Sequence, residues 1–151
     1  MRTMGLDVGT KTIGVAVSDG LGLTAQAITT VRRTNLKADL AALADLVREH
    51  EVSRLVVGLP LNMDGSEGPR AEATRKFVDT LTQALGLPVE YWDERLSTVA
   101  AQRTLLEADL SRAKRREVID QMAAQFILQG WLDARQPPYD PSDYDDYDEG
   151  T

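Results

Sequence analysis

The chain is 151 residues long, 42% hydrophobic and 27% charged, which suits one globular domain large enough to bury its own core. It has no cysteine and one histidine, His50, so disulfides, thiolate metal sites, cysteine nucleophiles and histidine ligand clusters are excluded, and any metal chemistry must use oxygen ligands. The net charge of −7 argues against a nucleic-acid partner until its distribution is read: residues 140–151 hold six acids and no Lys or Arg, leaving the rest of the chain at −1.

Apolar Met4, Leu6 and Val8, then Ile13, Val15 and Val17, flank Gly9-Thr10-Lys11, which predicts a hairpin of strands over residues 3–8 and 12–18. Residues 24–32 predict a third strand, polar on one face. Asn35 caps a predicted helix to about residue 50, with Leu36, Leu40, Leu43, Leu46 and Val47 as its apolar stripe. The run "RLVVGLP" at 54–60 has the continuous apolar character of a buried parallel strand. A glycine-rich stretch, "LNMDGSEG", is expected as a flexible loop, after which Pro69 opens a helix to Leu85 that Gly86 stops.

"LPVEYWDE" predicts another strand, ending in Asp93 and Glu94. Two helices follow, one capped by Ser97 or Thr98 and running to about Ala108, the other from about Arg115 to Ala134. Ile119, Met122, Phe126 and Gly130 are the expected core stripe of the last helix. Residues 137–151 read as an acidic, disordered tail on a folded domain of 1–136. Three meandering strands followed by alternating helices and strands imply an α/β domain: a mixed sheet, antiparallel at its N-terminal strands and covered by helices. No apolar run reaches the roughly 20 residues of a membrane helix, and no signal-peptide pattern opens the chain, so a cytoplasmic protein without a membrane partner is expected.

Three acidic positions fall where strand ends open into a crevice. Asp7 interrupts an apolar strand, one of Asp93 and Glu94 can face the same side, and Asp120 lies in the first turns of the last helix. Ala123 and Ala124, three and four residues on, would let that helix approach the sheet closely. Each acid alone has an ordinary structural explanation, as a turn, a solvated strand end or a dipole partner. Together, Asp7, Asp120 and a strand-end carboxylate would repel one another unless a divalent cation sat among them. Oxygen ligands of this kind suit Mg2+ or Mn2+, and two such ions about 4 Å apart can drive phosphodiester hydrolysis.

The segments "LDVGTKTIGVAVSD", "VVGLPLNMDGSEGPRA", "DERLSTVAA" and "VIDQMAAQFIL" occur in this order over residues 6–128. Together they closely resemble the YqgF/RuvX family, described both as pre-16S rRNA nucleases and as Holliday junction resolvases. The resemblance implies an RNase H-like fold and a bacterial cytoplasmic nuclease, a hydrolase of phosphodiester bonds. By motif it also implies an acidic site of Asp7, Glu94 and Asp120, with Asp93 as a neighbour.

Cations supply candidate phosphate contacts. Lys11 sits at the hairpin tip, Asn62 and Ser66 in the glycine-rich loop, and Arg70 at a helix start where backbone N–H groups also point outward. Arg95 follows Glu94 and can orient that carboxylate or meet phosphate. Arg112, Lys114, Arg115 and Arg116 form a basic run one to two turns before Asp120. Trp92, beside the acids, is either a packing residue or a platform for a base.

The expected activity is metal-dependent cleavage of structured nucleic acid, with 5′-end processing of pre-16S rRNA ahead of resolution of a four-way DNA junction. The latter needs two nicks and so predicts a symmetric homodimer. An actin/Hsp70-like ATP-binding module also opens with a segment like "DVGT", but it needs two domains and a second glycine motif that this chain lacks.

Overall fold

The computed structural model of the chain describes residues 2–96 and 112–135, and for 112–118 the helical backbone alone. The expected helix over 97–108 and the acidic tail lie outside the described residues. The elements are β1 (Arg2–Val8), β2 (Thr12–Ser18), β3 (Ala25–Arg32), α1 (Leu36–Glu49), β4 (Val52–Leu59), α2 (Pro69–Leu85), β5 (Val89–Asp93), a 3-10 turn (Glu94–Leu96) and α3 (Arg112–Arg135). The strands form one sheet in the order β3-β2-β1-β4-β5. β1, β2 and β3 pair antiparallel, while β4 and β5 join parallel to β1. The mixed sheet with three antiparallel N-terminal strands is the expected one.

Strand alternation divides the core into two layers. Met4, Leu6 and Val8 of β1, Ile13, Val15 and Val17 of β2, and Leu55 and Val57 of β4 face one way. They pack against Leu43 of α1 and Phe77, Val78 and Leu81 of α2. The opposite face carries Ala16, Ala25 and Val56 beneath Ala123, Ala124, Ile127, Leu128, Trp131 and Leu132 of α3. Both parallel connections thus bury strands between helices, which explains the continuous apolar run of β4.

Helix ends follow their local signals. The Asn35 side chain accepts from the Ala38 N–H at the start of α1. Pro69 occupies the first turn of α2, and Gly86 ends that helix at φ 67, a left-handed conformation in which a Cβ would be strained. Leu36, expected in the α1 stripe, is instead half exposed, because the helix begins at the sheet edge and only later turns cross the core.

The last helix differs from expectation in two respects. It starts at Arg112 rather than at about Arg115, so Asp120 is its ninth residue, in its third turn. Its buried face runs through Ile119, Ala123, Ala124, Ile127, Leu128, Trp131 and Leu132, and Met122, Phe126 and Gly130 lie half-buried beside it. The reason is steric. The sheet beneath α3 is floored by small residues, and a methyl built on Gly5 would stand 2.7 Å from Leu128 Cβ and 3.0 Å from the Ala124 carbonyl oxygen. Only a helix face centred on the alanines can come this close.

Side-chain amides then fix the helix along the sheet. Gln125 donates to the Ala25 carbonyl at 3.0 Å, while Gln129 accepts from the Ala25 N–H at 2.8 Å and donates to the Leu23 carbonyl at 3.0 Å. Because these bonds prevent α3 from backing away, Gly5→Ala is expected to lower the unfolding free energy by about 1–3 kcal/mol. Urea denaturation measures this, and an unchanged midpoint would show that α3 does not lie so close.

Candidate active site

Three parallel strands, β1, β4 and β5, end on the same side of the sheet, and their ends open a cleft of about 360 Å³. It is lined by Asp7, Val8, Gly9, Thr10, Pro60, Arg70, Glu94 and Asp120. The three acids singled out in the sequence therefore share one cavity while arriving from β1, from the turn after β5 and from α3.

Asp7 is buried, 8% exposed, and points to the α3 face, since Leu6 and Val8 on either side face the other layer. Its antiparallel partner on β2 is Gly14. A Cβ on Gly14 would lie 1.9 Å from the backbone oxygen of Asp120, so this glycine alone lets α3 bring Asp120 over the sheet beside Asp7. On the other flank, the pairing of β1 with β4 ends with Leu6 opposite Val57, and Gly58 follows on β4. A Cβ on Gly58 would run into Ile127 Cδ1 of α3 and lie 2.8 Å from Glu94 Oε1, so the missing side chain makes room for both. Gly14 thus admits the α3 backbone at Asp120, and Gly58 admits Glu94 together with Ile127. An isolated glycine inside a strand pattern marks such close approaches, and that signal in Gly14 and Gly58 was available in the sequence.

Asp120 accepts a hydrogen bond from the Thr12 hydroxyl, a residue that sequence reasoning did not single out. Thr12 also closes the hairpin turn, its carbonyl accepting the Gly9 N–H at 2.9 Å. As a donor set the cleft suits a hard divalent cation, offering carboxylate and carbonyl oxygens and neither His nor Cys. Among the described residues, no three acidic groups are gathered tightly enough to hold an ion as they stand. The three acids line the cavity walls rather than meeting at one point.

Asp93 has a different environment from its neighbour Glu94. Its carboxylate takes the Arg95 guanidinium, with Nε at 3.1 Å and one terminal nitrogen at 2.7 Å, and also accepts the Arg95 backbone N–H at 2.9 Å. The Arg95 side-chain hydrogen bonds hold the Asp93 carboxyl below its ordinary value of 3.8. The folded value lies below the unfolded one, so this interaction stabilises the fold above about pH 4 and is lost as pH falls through the lowered value. Arg95 also donates to the Met63 carbonyl at 3.2 Å and lies over Gly65. It therefore braces the loop between β4 and α2, and neither Asp93 nor Arg95 lines the cleft.

That loop, expected to be flexible, is internally bonded. Asn62 N–H donates to the Ser66 carbonyl and Asn62 Nδ2 to Ser66 Oγ, while Asp64 accepts from both the backbone N–H and the hydroxyl of Ser66. Asn62 and Ser66 face one another rather than the cleft. Arg70 does line it, and donates to the Val8 carbonyl at 2.9 Å. Lys11 is exposed at the hairpin tip, outside the cleft lining. Arg112, Lys114, Arg115 and Arg116 lie on the first two turns of α3, ahead of Asp120, and their side chains fall outside the described residues. Trp92 packs its ring against Gly130 beneath α3, which places it in the core layer.

Comparison with known proteins gives a consistent result. The family model described as "RuvX: Holliday junction resolvase" matches residues 1–134. A Myxococcus xanthus protein named "Putative pre-16S rRNA nuclease" is 80% identical over 148 residues, spanning 96% of this chain and 98% of that protein. A Moorella thermoacetica protein of the same name is 68% identical, over 88% of this chain and 95% of its own length. Among solved structures, RuvC of T. thermophilus in complex with a Holliday junction substrate superposes with a TM-score of 0.57 at 16% identity, covering 89% of this chain and 95% of that one. This likeness shows the RNase H-like fold.

Because Thr12 supports a charged, half-buried acceptor, Thr12→Val is expected to cost about 1–3 kcal/mol of stability. The exposed Thr10→Val serves as the comparison. Equal urea midpoints for the two variants would mean that the Thr12–Asp120 bond holds nothing.

Proposed function

The chain belongs to the RuvX family, and from that premise we propose that it is a divalent-metal-dependent endonuclease acting on structured RNA, processing the 5′ end of pre-16S rRNA during ribosome biogenesis in the cytoplasm. The observation that carries the reading is the convergence of Asp7, Glu94 and Asp120 on one cleft, under a helix that glycines in the sheet let approach closely. The near-full-length relatives named as pre-16S rRNA nucleases support the choice of RNA. No helix among the described residues is long and apolar enough to cross a membrane.

Asp7, Glu94 and Asp120 are the residues that would hold the cation, Mg2+ or Mn2+ by the hardness of the donors. When bound, the ion supplies a counter-charge for the scissile phosphate and lowers the cost of generating a nucleophile from water. The protein's own groups do the positioning. Arg70, which lines the cleft at the start of α2, binds a phosphate of the backbone. Thr12 sets the orientation of Asp120, one of the carboxylates that would hold the ion. The basic run from Arg112 to Arg116 leads along α3 toward the cleft and adds contacts to flanking phosphates. Asp93, held by Arg95, serves the loop rather than the ion.

The family description favours a second reading, a four-way DNA junction as substrate. The chemistry would be unchanged, but two sites would have to act on paired strands, so this reading requires a symmetric homodimer.

A panel of labelled pre-16S 5′ RNA and a mobile four-way junction, with Mg2+, Mn2+ or excess chelator, separates these. Asp7→Asn, Glu94→Gln and Asp120→Asn are each expected to reduce cleavage by more than ~100-fold, since even residues merely supporting a metal ligand cost 10–100-fold. Mn2+ binding followed by calorimetry should weaken in the same variants. Cleavage in chelator sinks the metal assignment, and a variant that cuts at wild-type rate removes that acid from the site. Cleavage of the junction but not the RNA, by a species that sediments as a dimer, transfers the assignment to the second reading.

A further inference from the structure

The strand end that carries Asp7 is held from outside the cleft by an ion pair whose carboxylate is buried and whose guanidinium is partly exposed. Asp39 on α1 is 3% exposed, among the few buried charged residues described. Its carboxylate accepts the Thr34 N–H at 3.1 Å and the Arg33 Nε at 3.4 Å. The Arg33 guanidinium lies 4.7 Å from the centre of the Phe77 ring and donates through its terminal nitrogen to the Gly9 carbonyl at 2.7 Å. Arg33 N–H also bonds the Lys11 carbonyl at 2.8 Å, extending the β2–β3 ladder past the hairpin tip.

We infer that Arg33, oriented by Asp39, is a positioning residue for the reaction: it fixes the Gly9 carbonyl and, through the hairpin turn, the relative placement of Asp7 and Asp120. The linkage is continuous. Gly9 is two residues from Asp7, its N–H bonds the Thr12 carbonyl, and the Thr12 hydroxyl bonds Asp120. Arg33 itself does not line the cleft, so it acts through the backbone rather than on substrate. A carboxylate buried in an ion pair is seldom more stabilising than an apolar group of the same shape, so stability is a poor reason for burying Asp39. Arginine suits the task because its planar fork can bond a carboxylate on one edge and a carbonyl on another, which an ammonium cannot do from one position.

This inference rests on Asp7 and Asp120 being the reacting acids, and the test separates the two. Arg33→Lys retains a cation to neutralise Asp39 but cannot bridge to Gly9. Its kcat on whichever substrate the wild type cleaves, with Mg2+, should fall about 10–100-fold, the loss expected of a small misplacement of catalytic groups. KM should stay within about 2-fold, because uniform binding is untouched. Amide exchange at Gly9, read by NMR without any metal, should quicken by about 10-fold while the global unfolding midpoint holds. If Arg33→Lys folds poorly, the double variant Arg33→Gln with Asp39→Asn removes both charges, and the same losses are expected.

Wild-type kcat and wild-type Gly9 exchange in either variant overturn the inference and leave Arg33 a structural counter-ion. A raised KM with kcat intact also overturns it, by making Arg33 a substrate contact. Asp7→Asn is assayed beside them. If it cleaves like the wild type, the active-site reading fails and this inference with it. If it is inert while Arg33→Lys runs at full rate, only the role of Arg33 falls.

Discussion

The close seating of α3 on the sheet is the constraint from which the rest of the structure follows. Gly5, Gly14 and Gly58 come from three adjacent strands, and each would collide with α3 or Glu94 if it carried a side chain. Ala123 and Ala124 answer them from the helix, both essentially fully buried. Close packing of this kind forgoes large hydrophobic side chains at the centre of one layer. The loss is offset on the same helix further from the cleft by Ile127, Leu128, Trp131 and Leu132, and on the opposite face by the layer under α1 and α2. The gain is that a helix residue, Asp120, stands within reach of a strand residue that points out of the middle of the sheet.

Topology supplies the other half of the arrangement. Because β1, β4 and β5 run parallel, their C-terminal ends gather on one side, bringing Val8, Pro60 and Glu94 to a common rim. β2 runs the opposite way and contributes its first residue, Thr12, at the same rim. Two arginines from outside the sheet then engage consecutive carbonyls there, Arg70 at Val8 and Arg33 at Gly9. A strand end that has left its ladder would otherwise depend on water for these acceptors, and water does not fix a backbone in place.

Much of this was legible in the sequence, and the parts that were not have a common cause. Elements with local signals were read closely: Asn35 capped α1, Pro69 and Gly86 bounded α2, and the period-2 pattern of Met4 to Val17 gave the hairpin. The core stripe of α3 was misread by one position because residues such as Met122 and Phe126 look more buriable than alanine. What decided the matter was the absence of side chains on strands more than 60 residues away. Asp7, Glu94 and Asp120 line one cleft without meeting at one point, whereas Thr12 and Arg33 were missed. Their roles depend on partners, Asp120 and Gly9, that only the folded chain brings near. The flexible loop expected from its glycines is closed by Asn62, Asp64 and Ser66, whose side chains mimic backbone turns.

The separate fates of Asp93 and Glu94 show how backbone geometry assigns chemistry to adjacent, similar residues. Strand alternation sends neighbouring side chains to opposite faces. Leu59, the partner of Asp93 on β4, belongs to the β4 side that faces α1 and α2, and Asp93 meets Arg95 and the loop leading into α2. Glu94 turns the other way, over Gly58, onto the α3 face that holds Asp7 and Asp120. Arg95 matters here for where it does not go. Drawn to Asp93 and Met63, it leaves the rim on the Glu94 side to the carboxylate. Three acids therefore reach the walls of one cleft by three local routes: strand alternation for Asp7, the turn after β5 for Glu94, and the glycine-floored approach of α3 for Asp120.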